Sequence, residues 1–335
     1  MRYVGLDIHA RNFSIAVLDE NSSVVFEHSL ATSAANLRTV MEAIADPKRV
    51  VLEETTVAGW AYRVLKPHAE QVVVADPLHN RWIAGDESSD DASAAYKLAE
   101  LLRGGFIHPV HHTGQSRQVF KEMVLSYHDT SRELVRFKNK LKAKFRQHGL
   151  YCAGQGVYHR AEREAWLTKL AAVGARLQAQ MLMESIDHFQ EQKSQLRQEL
   201  ARRSRAFPEI ATFRQAPGVG LVRATTFFAL VDTPHRFAHK RKLWAYCGLA
   251  VVSRRSDGRA GPKHLNRRGN HLLKDIAKGA ALSAIVRKDS QFCQQYQRLI
   301  AQGISAQNAR LTVARALVAT RYAMWRKAQP YKPHS

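Results

Sequence analysis

The first 110 residues run through β-like and helix-like patterns in an order that few folds share. Arg2 to Ile8, Phe13 to Asp19 and Val24 to Leu30 read as three strands separated by short polar turns, which predicts an antiparallel meander. A helix follows at about 33 to 45, with Ser33 as its cap and Leu37, Val40, Met41 and Ile44 on one face. After it come an apolar strand at 49 to 53, a helix at 58 to 67, a strand at 71 to 75 and a helix at about 92 to 103.

Three antiparallel strands followed by α-β-α-β-α is the order of the RNase H-like fold, here expected in its RuvC-like form. Fold alone gives no function. Asp7, in Tyr3-Val4-Gly5-Leu6-Asp7, falls at the end of the first strand, and Glu53, after Val50-Val51-Leu52, at the end of the fourth. Asp91 stands at the start of a helix, where Asp90 or Glu87 could serve instead. In such a sheet these ends converge, so the carboxylates can hold two divalent ions about 4 Å apart. Mg²⁺ fits such a site, with Mn²⁺ as the alternative. The plain reading of Asp7 is a turn carboxylate. For Glu53 it is weaker, because a charge directly after an interior apolar strand is expensive without a cation beside it.

Charge separates the two ends of the chain. Residues 1 to 110 hold 10 Lys and Arg against 15 Asp and Glu, while residues 111 to 335 hold 41 against 14, a net of +27. A basic surface of this size points to a polyanion, nucleic acid above all. Residues 114 to 148 predict one long helix on which Arg136, Lys138, Lys140 and Lys144 alternate with apolar anchors, a pattern that can cross a phosphate backbone. From 160 to 204 the spacing becomes coiled-coil-like, with Ile186, Phe189, Leu196 and Leu200 preceded by Leu170, Val173 and Leu177. Lys193 interrupts that seam, and both an intramolecular hairpin and a dimer stalk satisfy it. The resulting division is 1–150, 151–207 and a helix-rich 208–335, with a basic loop at 253 to 269 and helices at about 270 to 287, 289 to 301 and 307 to 327. Cys152, Cys247 and Cys293 lack metal-ligand spacing and read as buried thiols in a reducing cytoplasm. No apolar run approaches a membrane span and no signal peptide is evident.

The segment Asp91-Ala92-Ser93-Ala94-Ala95-Tyr96-Lys97-Leu98-Ala99-Glu100 resembles the Asp-x-x-Asp-Ala…Leu-Ala-Glu signature of the DEDD-type transposases of bacterial insertion sequences, the group that includes the Piv DNA invertase. The early Gly-hydrophobic-Asp and the Glu after an apolar strand belong to the same pattern. The resemblance selects Asp91 and implies a fourth ligand where this chain has Ala94. Either the ligand is lost or relocated in this lineage, or the chain is an inactivated variant, which is the favoured expectation. In the C-terminal part, Trp244-Ala245-Tyr246-Cys247-Gly248-Leu249, Ser253-Arg254-Arg255-Ser256-Asp257-Gly258 and Asn266-Arg267-Arg268-Gly269-Asn270 are similar to the family's Gly-Leu, Ser-Gly and Lys-x-Gly-Asn segments. The family's nucleophilic serine falls on Ser256, with Ser253 as the alternative. The resemblance implies that this serine serves a carboxylate site between subunits of a homo-oligomer, a dimer or tetramer, and forms a covalent phosphoserine on donor and target DNA. Arg254, Arg255, Arg259, Lys263, Arg267 and Arg268 surround it and suit a phosphate clamp. Pro217-Gly218-Val219-Gly220 is similar to the turn of helix-hairpin-helix modules, in which Gly218 and Gly220 let backbone amides face phosphate. A structured guide RNA, the bridge RNA of this group, is implied by the resemblance alone.

The leading expectation is therefore an insertion-sequence transposase or site-specific recombinase. A RuvC-resolvase-like endonuclease would use the same carboxylates with water as nucleophile. An actin-like ATPase would need a second glycine-rich phosphate loop, which the sequence lacks, and a non-catalytic nucleic-acid binder would leave Asp7 and Glu53 unexplained.

Overall fold

Strands β1 (Arg2–Ile8), β2 (Asn12–Leu18) and β3 (Val24–Ala31) form the antiparallel meander in the computed structural model, which describes residues 1–77, 91–252, 255–256, 259–260 and 264–333, with backbone alone at 91, 92, 255, 256, 259 and 260. Helix α1 (Ala34–Ala43) starts where Ser33 accepts the Asn36 amide at 3.0 Å, as its side-chain chemistry predicts. Strand β4 (Lys48–Glu53) then returns parallel to β1, with Leu6 opposite Leu52. Helix α2 (Ala58–Leu65), strand β5 (Gln71–Ala75) parallel to β4, helix α3 (Asp91–Arg103) and strand β6 (Pro109–Val110) complete the first unit. The sheet order is β3-β2-β1-β4-β5-β6, an arrangement compatible with the RNase H-like fold. Strand β6, antiparallel to β5, was not foreseeable, because two residues carry no periodicity.

Each face of this sheet has its own cover. Val4, Leu6, Ile8, Ile15, Val50, Leu52 and Val74 pack with Leu37, Val40 and Met41 of α1 and Ala58, Ala61 and Leu65 of α2. Alternation sends the residues between them to the opposite face, where Val51 and Ala75 meet Leu98 of α3. Helix α3 approaches so closely that a Cβ on Gly5 would lie 2.0 Å from the Ala95 carbonyl oxygen. Gly5 is thus a packing requirement of the helix–sheet contact, irrespective of any role as a motif residue.

The chain divides into two compact units, Met1–Gln115 and Ser116–Ser335. The long helix α4 (Gln115–Gln147), expected to close a domain ending at 150, packs inside the second unit. Its Phe120, Val124 and Tyr127 belong to the C-terminal core, and Arg117 donates to the Asp232 carbonyl at 2.6 Å and to Glu209 at 2.9 Å. Farther along, Leu134, Leu141 and Phe145 pack against Ala179, Met183 and Ile186, so α4 forms a helical hairpin with α6 (Val173–Arg203) after the short α5 (Arg163–Leu167). The expected seam is corrected at its start. Val173 and Leu177 are 74% and 57% exposed, while Ala175, Ala179 and Met183 point inward. Ile186 and Leu200 are buried as expected. Within the chain, Ile186 buries in the hairpin that α6 forms with α4.

Helices α7 (Pro208–Phe213), α8 (Leu221–Val231) and α9 (Lys240–Tyr246) follow. The segment expected as a basic loop contains two short antiparallel ladders, β7 (Val251–Val252) with β10 (His264–Leu265) and β8 (Arg255–Ser256) with β9 (Arg259–Ala260). Helices α10 (His271–Ile285), α11 (Gln291–Ala301) and α12 (Ala306–Arg326) close the unit around a core rich in Ala and Phe. All three cysteines are buried free thiols, and no helix among the described residues is long and apolar enough to cross a membrane.

Candidate active site

Asp7 and Glu53 each stand one residue beyond the paired Leu6 and Leu52 on adjacent parallel strands, so they lie side by side at the same edge of the sheet. Both occupy the face that α3 covers, since they share parity with Gly5 and Val51. Asp7 is buried, 8% exposed, and its Oδ2 lies 3.2 Å from Nε2 of His9. Ser14 of β2 is Asp7's cross-strand neighbour. Glu53 is half-buried, and its carboxyl is held above the ordinary range, first by burial and then by the Asp7 charge, with His9 opposing. Two like charges brought together in a partly desolvated place are an arrangement that a cation would relieve. The donors are hard oxygens, which suits Mg²⁺ or Mn²⁺.

Helix α3 runs antiparallel to β1. Its last residue, Arg103, donates to the Glu20 carbonyl oxygen at 3.4 Å, in the turn beside the start of β1, while Ala95 and Ala99 lie over Gly5. The first turn of α3, residues 91–94, therefore extends toward the edge that carries Asp7 and Glu53. The Asp91 side chain, and Glu87 and Asp90 entirely, lie outside the described residues. Ala94 is partly exposed on that turn, beside the fully buried Ala95. Glu100, an alternative to Asp90 as a relocated ligand, sits near the other end of the helix, where Arg103 donates to it at 2.9 and 3.2 Å. Among the described residues, no group of three or more His, Cys, Asp or Glu could hold a metal, so the third ligand is the position on which such a site turns.

In the second unit, Ser256 lies in β8 opposite Arg259 of β9. In sequence the β8/β9 ladder lies between the two strands of the β7/β10 ladder. The side chains of Arg255, Ser256 and Arg259, and all of Ser253, Arg254 and Lys263, lie outside the described residues. Arg267 and Arg268 are exposed just before Asn270, which caps α10 by accepting the Leu273 amide at 3.0 Å.

The expected nucleic-acid contacts divide into engaged and open groups. On α4, Arg136 lies 3.5 Å from Glu133, Lys138 sits 4.8 Å from the Tyr158 ring centroid and Lys140 sits 4.8 Å from that of Phe137. Burial pushes the Lys138 ammonium below its ordinary range. Lys144 is half-buried on the same helix. Gly218 has φ +76°, and a Cβ there would meet the Ala280 carbonyl oxygen at 2.3 Å, so its first duty is to seat the α7–α8 turn on α10. Gly220 precedes α8 and lines a groove of about 790 Å³ with Arg132, Arg197 and Arg223, where Asp275 is the one carboxylate among the described lining residues. Arg223 donates to the Gly218 carbonyl at 2.7 Å and to Ser283 at 2.9 Å.

His9 escaped the sequence reading, although an i, i+2 relation to Asp7 along an extended segment could have flagged it. Glu54 and His112, 2.5 Å apart beside the Tyr62 ring, were missed as well, and their separation in sequence left no signal.

A family model described as a transposase, of the DEDD type of IS110, matches residues 4–149. A second, described as the transposase IS116/IS110/IS902 family, matches residues 210–297. No curated protein matches the chain.

Proposed function

Since the chain belongs to the DEDD-type transposases of the IS110 family, we propose that it breaks and rejoins DNA strands of an insertion sequence at the Asp7–Glu53 edge, with Ser256 as nucleophile. The observation that carries this reading is the register that sets two carboxylates side by side on one sheet face, beneath the incoming first turn of α3. Asp7, Glu53 and Asp91 are the residues that would hold Mg²⁺ or Mn²⁺. Ions bound there would stabilise charge on the oxygens entering and leaving phosphorus.

The chain's own chemistry is a transesterification. The Ser256 oxygen forms a bond to phosphorus, the bond to one sugar oxygen breaks, and the serine proton is transferred overall to that oxygen. The phosphoserine keeps the energy of the broken linkage for rejoining, so no external energy source is required. The arginines flanking Ser256 and the two cations before α10, Arg267 and Arg268, would steady the phosphate during both steps. The donor and target are duplex DNA, a guide RNA pairs with them, and the hairpin of one subunit serves the carboxylates of another within a homo-oligomer in the cytoplasm. With Ala94 at the second Asp position, this form has one ligand too few and works slowly or not at all.

The test is a pair of variants incubated with insertion-end DNA across a Mg²⁺ titration. Ala94→Asp is expected to raise cleavage and to give protein–DNA adducts on a denaturing gel. Ser256→Ala in that background is expected to abolish the adducts while nucleic-acid binding changes little, because one hydroxyl adds little to the affinity that Lys and Arg dominate. Cleavage without adducts would mean that water is the nucleophile and a RuvC-like endonuclease the better description. Adducts that survive Ser256→Ala would move the role to Ser253, and equal activity of the parent and the Ala94→Asp variant would place the fourth ligand elsewhere.

A further inference from the structure

Helices α9, α11 and α12 enclose an open groove of about 860 Å³, lined among others by Lys240, Arg298 and Arg315. Through Lys240, Ala319 and Thr320 it continues into a second hollow of about 770 Å³, where His239, Arg326 and Lys327 line the wall. No Asp or Glu lines either part among the described residues. Elsewhere on this unit carboxylates do stand beside some cations, although many cations there also take part in no ion pair among the described residues; what sets the groove apart is that its cations converge on one hollow. Arg202 and Arg203 are paired with Glu199, Arg132 with Asp129 and Arg136 with Glu133. Lys240, Arg298 and Lys327 take part in no ion pair among the described residues. A run of cations that a protein leaves without carboxylates, in a concave place, is a site for an anion with several charges.

The other lining groups narrow the occupant. Gln294 and Gln295 offer both donors and acceptors, and Thr312 and Thr320 add hydroxyls. The Trp244 ring forms part of the wall, pinned by its Nε1 donating to the Arg315 carbonyl at 3.0 Å, with Lys240 Nζ 5.8 Å from its centroid. Cations for phosphates, a fixed aromatic for a base and amides for base edges are the components of single-strand sites. The volume is that of a ligand cleft, large enough for a few nucleotides.

We propose that the groove between α9, α11 and α12 binds a single nucleic-acid strand; among the described residues it shares no lining residue with the groove at Gly220. The inference rests on the proposed function only in that the chain handles nucleic acid, and of its residues only Trp244 lies in a segment that the sequence singled out.

The experiment uses the full chain and measures affinity for labelled single-stranded RNA, single-stranded DNA and duplex DNA of one sequence over a range of salt. Lys240→Glu combined with Arg298→Glu is expected to weaken single-strand binding about tenfold or more and to flatten its salt dependence by about 1.4 in log–log slope, the value for two phosphate contacts. Duplex binding is expected to change far less. The ratio of the RNA and DNA losses reports whether ribose hydroxyls are read. Both side chains are exposed, so the melting temperature should hold. If it falls, Lys240→Ala with Arg298→Ala makes the same comparison without charge reversal. Single-strand affinity equal to that of the parent, or an equal loss for duplex, overturns the inference. Adducts forming normally in the Ala94→Asp background alongside that negative result would leave the transposase reading intact, whereas a parent chain that binds no nucleic acid would sink both.

Discussion

Glu53 is under two opposing demands. It ends an interior strand, where burial disfavours charge, and it stands beside Asp7, whose charge disfavours it further. Because its carboxyl titrates above the ordinary value of 4.5, the native state takes up this proton more readily than the unfolded chain does. The contribution of the group to stability is therefore fully present below that ordinary value and is lost as pH rises through the raised one. Glu53→Gln is accordingly expected to melt at a higher temperature than the parent at neutral pH without divalent ions, and the gap should close in acid. Added Mg²⁺ should raise the parent's melting temperature and leave the variant's nearly unchanged. Calorimetry in both conditions decides it, and equal melting temperatures at neutral pH would contradict an uncompensated Glu53. At this scale the sequence was informative. A charge directly after Val50-Val51-Leu52 already signalled a special place, whereas His9, two residues beyond Asp7, gave a signal too weak to single out until its ring met Asp7.

Two helix contacts rest on single glycines, and they differ in kind. Gly5 has no side chain because α3 lies on β1 there, and a Cβ at this position would stand 2.0 and 2.7 Å from backbone atoms of Ala95 and Ala99. Gly218 combines a left-handed backbone with equally close contact to α10. Gly5→Ala and Gly218→Ala are each expected to cost about 1–3 kcal/mol or more, since neither helix backbone can yield as a side chain would. Gly174, near the start of α6 with open space around it, should tolerate alanine without loss. Thermal or urea denaturation of the three variants checks the ranking, and a stable Gly5→Ala protein would show that α3 is free to lift off the sheet. The long elements were legible because their periodicity extends over several turns. Strand β6 and helix α9 were too short to announce themselves. The start of α6 misled because Val173 and Leu177 match a seam spacing, but the smaller Ala175 and Ala179 fit the close approach to α4.

The basic charge of the chain lies almost wholly in the second unit, which begins with α4. That placement has a structural consequence. Phe120, Val124 and Tyr127 of α4 are part of the C-terminal core, and Arg117 ties the helix to Glu209 and Asp232. A fragment of residues 116–335 is expected to fold with a cooperative melting transition. One beginning at 151 should not, because it lacks those buried rings and leaves their partners Phe207 and Phe228 uncovered. Circular dichroism of the two fragments tests this, and a cooperative transition in the shorter one would support a boundary near 150.

The order of strands and helices in the first unit, the acidic residues at its strand ends and the location of the cationic excess were all written in local pattern, because each depends on residues near one another in the chain. Register is different. That Leu6 faces Leu52, and so Asp7 stands beside Glu53 on the face beneath α3, follows from pairing between strands some forty residues apart. The association of α4 with the C-terminal core, the pairing of α4 with α6 and the carboxylate-free groove of α9, α11 and α12 are likewise products of packing. No window of sequence contains both partners of those contacts, and only the tertiary structure could decide them.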